Sequence, residues 1–214
     1  MNNPDWLFHL RKEMAVFTGK AASEIWPNPD GKPYFNYRLE HVRQVERDAR
    51  WLMQLVAGDE DVVLAAVWLH DSFQPQLMKP DNHAILAADW ARENLSETGF
   101  PVEKIENVAY AIEMHSSAVQ SLPKDAHEAR VLWDADKLAK LGPISLVNML
   151  AVMPAFPEHK MNFGEIVRMT KGELERRKTL VDLFYFPASR ERAAQRIFAQ
   201  EVFVLQLQKD IAGV

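Results

Sequence analysis

The 214 residues contain no cysteine. Disulfides, thiolate metal sites and a cysteine nucleophile are therefore excluded. No apolar run is long enough to span a bilayer, and there is no internal repeat or low-complexity segment. The first residues lack an apolar h-region and include an acidic side chain. A secretory leader is therefore not expected, and the cytoplasm is the expected compartment. The net charge of -5 gives no general attraction for nucleic acid. Neither a nucleic acid polymer nor a membrane is an expected partner. Strand signals are also scarce. What recurs is helical periodicity, so the sequence predicts an all-α protein, organised as a single domain.

The periodicity divides the chain into segments. A first helix is expected from Pro4 or Asp5 to about Ala22, with Trp6, Leu7, Leu10, Met14 and Phe17 on one face. A Pro- and Gly-bearing loop, Trp26 to Pro33, follows. A second helix starts near Asn36, a good N-cap. Its inward face is His41, Val45, Ala49, Leu52, Leu55 and Val56, with Arg43, Glu46, Arg47 and Arg50 toward solvent. Gly58-Asp59-Glu60-Asp61 breaks that helix and caps the next. Another helix is expected from Asp81 through Leu95, with His83, Leu86, Ala87, Trp90 and Asn94 inward. After Gly99-Phe100-Pro101, the stripe Ile105, Val108, Ile112 and His115 marks a further helix. His127 reads as solvated at a polar helix entry. The Met-rich stretch from Asn148 to Pro157 reads as a short buried helix and loop, with a substrate lid or partner surface as the alternative. Charged Phe163 to Leu183 and long Ala188 to Ile211 complete the chain; the latter is either core or a dimer seam.

One stretch organises the rest. Leu64-Ala65-Ala66-Val67-Trp68-Leu69 is apolar throughout and runs into His70-Asp71, then Ser72-Phe73-Gln74-Pro75. A carboxylate and an imidazole carried into a core are costly unless something pairs with both, and a metal ion is an economical partner. His41 and His115 also lie on apolar stripes, and His83 lies in a first turn. In Trp133-Asp134-Ala135-Asp136-Lys137-Leu138, periodicity admits either aspartate as the inward one. Imidazole and carboxylate donors without thiolate suit a divalent transition metal such as Mn, Fe, Ni, Co or Zn, with Mg also admissible.

The order His41, His70-Asp71, Asp136 resembles the HD superfamily of metal-dependent phosphohydrolases, whose pattern is His, then His-Asp, then a distant Asp. Ala135-Asp136-Lys137-Leu138 looks like the family's terminal Ala-Asp-x-Leu segment, which favours Asp136 over Asp134. The resemblance covers roughly Tyr37 to Gly142 and leaves 143–214 as C-terminal helices packed on that core. It implies an all-α bundle with the metal between helices. Some members add two histidines before the final Asp and hold two ions bridged by the motif Asp. His83 and His115 occupy suitable places for this, so one or two ions per chain are expected. Many such members carry Lys three residues after the motif Asp; here that residue is Gln74. Gln74, Lys79 and Lys137 are the candidate substrate contacts, with Lys140 a further cation.

The resemblance implies hydrolysis of a phosphoester or nucleotide-like small molecule, with Asp71 as the catalytic metal bridge. Two other functions stay open. A minority of two-metal relatives hold two irons and use dioxygen. A regulatory helical domain with a vestigial site is the other. The chain lacks the extended signature of cyclic-dinucleotide members and the synthetase domain of alarmone hydrolases.

Overall fold

The computed structural model describes residues 4–25, 30, 34–73, 82–116, 122–153 and 162–213. Among these there is no strand, as the periodicity predicts. No described helix is long and apolar enough to cross a membrane. The chain forms two compact units, residues 1–136 and 137–214.

The first unit is built around a helix with no polar face. Helices α1 (Asp5–Ile25), α2 (Tyr37–Met53), α4 (His83–Asn94) and α5 (Ile105–His115) all pack on α3 (Glu60–Leu69). Every residue of α3 from Val62 to Leu69 is buried. A helix that is apolar all round is stable only when neighbours cover it on all sides. Its polar groups are confined to its start. Asp59 caps the backbone N–H groups of Asp61 and Val62, which satisfies donors that no helical carbonyl can reach. Lys104 ties the same turn from another segment, with Nζ 2.8 Å from both Asp59 and Asp61. Helix α4 presents Ala84, Ala87, Ala88 and Ala91 as its buried face. Small side chains let α5 approach it closely. Leu86, expected inward, is partly exposed on α4, as is Phe17 on α1.

Three further positions in this unit differ from the sequence reading. Leu55 is exposed because α2 ends at Met53, before it. His127, at the first position of α6 (His127–Ala139), is half-buried rather than solvated. Glu46, expected toward solvent, is buried on α2. It lies beside Val42, Val45 and Ala49 at the margin of the apolar face. Trp68 supplies the reason: its indole N–H is buried in α3 and donates to Glu46 Oε2 at 2.9 Å. Arg11 and Arg50 bind the other oxygen, Arg50 at 2.8 Å. The guanidinium of Arg11 also lies over the Trp68 ring, 5.6 Å from its centroid. One carboxylate thus joins α1, α2 and α3.

The second unit contains the end of α6, α7 (Pro143–Val152), α8 (Phe163–Lys178), a 3-10 turn at Val181–Leu183 and α9 (Pro187–Ala212). The amphipathic segment starting at Phe163 therefore stops as an α-helix at Lys178. At the corner before α7, Gly142 has φ 85°, a left-handed value that favours glycine. Its N–H donates to the buried Gln200 Oε1 at 3.1 Å. Arg177 donates to the Lys140 carbonyl and to Ser145 Oγ. On α9, Ala193, Ile197 and Val204 are buried, whereas Phe198, Val202 and Leu205 are exposed. Residues 154–161, which include the end of the Met-rich stretch, lie outside the described residues.

The Glu46 hub sets an acid limit on stability. Burial pushes its carboxyl pKa up, but Arg50, Arg11 and the Trp68 N–H outweigh that and lower it from 4.5. The stabilisation from a lowered carboxyl is fully present above its unfolded value and is lost as pH falls through its folded value. Glu46→Gln is expected to cost about 1–3 kcal/mol in urea unfolding at neutral pH. The gap between variant and wild type should close as pH is lowered below 4.5. A gap that does not change with pH would contradict the role of the charge.

Candidate metal centre

The helix order sets where the ligands meet. His41 lies in the second turn of α2, His70 follows the last residue of α3, His83 opens α4 and His115 closes α5. Starts and ends alternate along the chain. In helices that run up and down, alternate starts and ends lie at the same end of the bundle. The ring centroids follow this: His41 to His70 is 5.5 Å, His70 to His115 is 4.9 Å and His83 to His115 is 5.2 Å.

The Asp71 carboxylate lies among them with its two oxygens divided. Oδ2 is 3.5 Å from His41 Nε2 and 3.7 Å from His70 Nε2. Oδ1 is 3.6 Å from His83 Nε2 and 3.6 Å from His115 Nε2. Asp136 Oδ1 joins the first group, 3.1 Å from His41 Nε2 and 3.8 Å from His70 Nε2. Asp134 is equally buried, but it is two residues earlier and so about 200° around the helix. The donor atoms therefore form two groups that share Asp71.

These separations suit a metal. Four donors placed tetrahedrally about 2.1 Å from an ion lie about 3.4 Å from one another. The ring orientations also suit one. His70 Nδ1 lies 2.7 Å from the Val67 carbonyl. Donation there puts the proton on Nδ1 and leaves the Nε2 lone pair facing the cluster. That nitrogen is buried and has no hydrogen-bond partner among the described residues. Burial, opposed by the Asp71 charge, pushes the His70 pKa down to about 3, so the ring is neutral at pH 7 as ligation requires. His115 Nδ1 meets the Ile112 carbonyl in the same way. The two helix-ending histidines are thus oriented by carbonyls three residues before them, which are groups that the end of a helix leaves over. His83 is the most open donor, with 14% of its side chain exposed. Its Nε2 is 3.3 Å from His115 Nε2, close enough for the pair to share one proton or one cation.

Arg38 completes the cluster, and the reading of the sequence did not single it out. Its Nη1 pairs with Asp71 Oδ2. Burial pushes the Asp71 carboxyl up, but Arg38 and the surrounding imidazoles outweigh it and hold the group well below the usual carboxylate range. The available signal was spacing. Arg38 is three residues before His41 and seven before Val45, on the same helical stripe. The side of Tyr37 supports both residues: its ring stacks on His41 at 13° and lies 5.5 Å from the Arg38 guanidinium.

The candidate substrate contacts are less defined. Gln74 and Lys79 lie outside the described residues. Lys137 follows Asp136 on α6 and is half-buried.

Residues 38–141 match the family model described as HD domain. No curated protein matches the chain. Among solved structures, Bacillus subtilis YpgQ in complex with ADP is 20% identical, with a TM-score of 0.67, covering 97% of this chain and 98% of that one. An HD-superfamily hydrolase from Bacillus thuringiensis is 19% identical, with a TM-score of 0.61, covering 97% and 100%. A predicted HD-superfamily hydrolase from an uncultured Thermotogales bacterium is 18% identical, with a TM-score of 0.56, covering 94% and 91%. At these identities the likeness is one of fold.

The division of Asp71 between two donor groups makes metal stoichiometry the direct test. After loading with Mn2+ and desalting, His83→Ala is expected to carry one ion fewer per chain than wild type by elemental analysis, with an unchanged circular dichroism spectrum. Asp71→Ala should lose ions from both groups. Equal metal content in His83→Ala and wild type would leave only the group at His41, His70 and Asp136.

Proposed function

We propose that the chain, residues 38–141 of which match the HD domain family model, is a metal-dependent phosphohydrolase acting on a phosphoester or nucleotide-like small molecule. The observation that carries this reading is the Asp71 carboxylate, with one oxygen toward His41 and His70 and the other toward His83 and His115. In this reading His41, His70, Asp71 and Asp136 hold one divalent ion. His83 and His115 would hold a second, with Asp71 contributing its other oxygen to it. Such ions, when bound, activate water near neutral pH and offset the charge on phosphoryl oxygens.

The protein's own groups have three tasks. The Val67 and Ile112 carbonyls keep His70 and His115 in the tautomer that presents Nε2. The buried position of Asp71 and Asp136 removes competing water, so their negative charge is poorly screened and attracts a cation strongly. Arg38 places positive charge beside Asp71, where an anionic substrate meets a site whose motif position carries Gln74 instead of Lys. The reaction forms a bond from the water oxygen to phosphorus. It breaks the bond from phosphorus to the leaving oxygen, which departs with the electron pair and is protonated. The more exposed His83 marks the side from which a phosphoryl group reaches the cluster.

The complex of Bacillus subtilis YpgQ with ADP supports nucleoside phosphates as the substrate class to try first. Gln74, Lys79 and Lys137 are the proposed substrate contacts. Freshly purified protein should contain a divalent transition metal by elemental analysis. It should release phosphate or pyrophosphate from a panel of nucleotides and small phosphoesters when supplied with Mn2+. Chelation should abolish turnover, and Mn2+ should restore it. A metal-loaded protein inactive across the panel would overturn the hydrolase reading. Iron with a mixed-valence spectrum would redirect it to oxygen chemistry.

A further inference from the structure

We propose that Arg38 is a positioning residue that acts as the internal counter-ion of Asp71 and competes with the first metal ion for Oδ2. The inference rests on the metal reading above and concerns the order of events within that site.

The argument begins with one oxygen. Asp71 Oδ2 faces His41 Nε2 and His70 Nε2 and also receives Arg38 Nη1. Oδ1 faces His83 and His115. An ion held by His41, His70 and Oδ2 would therefore lie beside a fixed positive charge. Both partners of the ion pair are largely removed from solvent, with side-chain exposures of 11% for Arg38 and 5% for Asp71. At that burial the charges are weakly screened. The pair stabilises Asp71 when no ion is present, and the guanidinium repels the ion that would replace it.

The surroundings fit a displaceable contact. Arg38 lies in the first turn of α2, two residues after the cap, and Asn36 fixes that turn by accepting from the Leu39 N–H. Tyr37 stacks on His41 and lies under the guanidinium. The cation–π contact can hold the charge nearby when Oδ2 is taken. Among the described residues, the cluster without Arg38 would contain two buried carboxylates, Asp71 and Asp136, and no guanidinium. That arrangement is costly without metal and favourable with it. Arg38 thus stabilises the metal-free protein and lowers the affinity for the first ion. The bound ion then has an unneutralised cation beside it, which favours an anionic ligand.

The test compares wild type with Arg38→Met by titration of chelator-treated protein with Mn2+, alongside thermal melts with and without Mn2+. The expected result for Arg38→Met is a metal-free melting temperature several degrees lower, and Mn2+ binding at the tighter subsite about tenfold stronger. The Mn2+-induced rise in melting temperature should be larger than in wild type. Arg38→Lys, which keeps the charge, should bind Mn2+ within about threefold of wild type. If Arg38→Met does not fold without metal, Arg38→Gln gives the same comparison, because it keeps a donor for Oδ2 and loses the charge. Unchanged or weaker Mn2+ binding by the uncharged variants would overturn the inference while leaving the metal reading intact. No Mn2+ binding by wild type would overturn both.

Discussion

A carboxylate removed from water requires compensating positive charge, and Asp71 is such a group. Its position follows directly from α3. That helix is apolar on every side, so its end lies in the core, and the residues that continue it are carried inward. The imidazole of His70 and the carboxylate of Asp71 are therefore buried by the packing that stabilises the helix. Arg38 supplies one compensating charge. The ring nitrogens around the carboxylate supply lone pairs that a cation can join to it. The apolar helix and the polar cluster are two consequences of the same packing.

The cluster depends on topology as much as on ligand type. His41 and His83 lie near helix starts, and His70 and His115 at helix ends. Helices that run up and down bring those termini to one end. The leftover carbonyls of α3 and α5 then orient the two helix-ending rings. Asp136, well along α6, reaches the same place by facing His41 and His70. The small alanine face of α4 allows α5 close, which sets the short distance between His83 and His115.

Another buried carboxylate, Glu46, shows how the same unit handles charge without metal. Arg11, Arg50 and the Trp68 N–H occupy both of its oxygens. Its pairing is complete within the protein. In the Asp71 cluster, by contrast, His70 Nε2 is buried with no hydrogen-bond partner among the described residues.

The sequence by itself determined the class of the fold, because helical periodicity is a local property that tertiary contacts need not supply. It also marked the candidate donors His41, His70, Asp71 and His115, because histidines on apolar stripes and at helix ends can be read one helix at a time. The inward placement of His41 and His115 was legible for that reason. Only tertiary structure decided how the donors divide. Periodicity ranked Asp134 and Asp136 equally, and the facing His41 and His70 distinguish them. Nor could periodicity bury Glu46, since its partner Trp68 is twenty-two residues away on another helix. Arg38 escaped for a related reason. An arginine on a helical stripe ordinarily keeps its charged end in water, and only the approach of Asp71 from a separate helix holds this one inside.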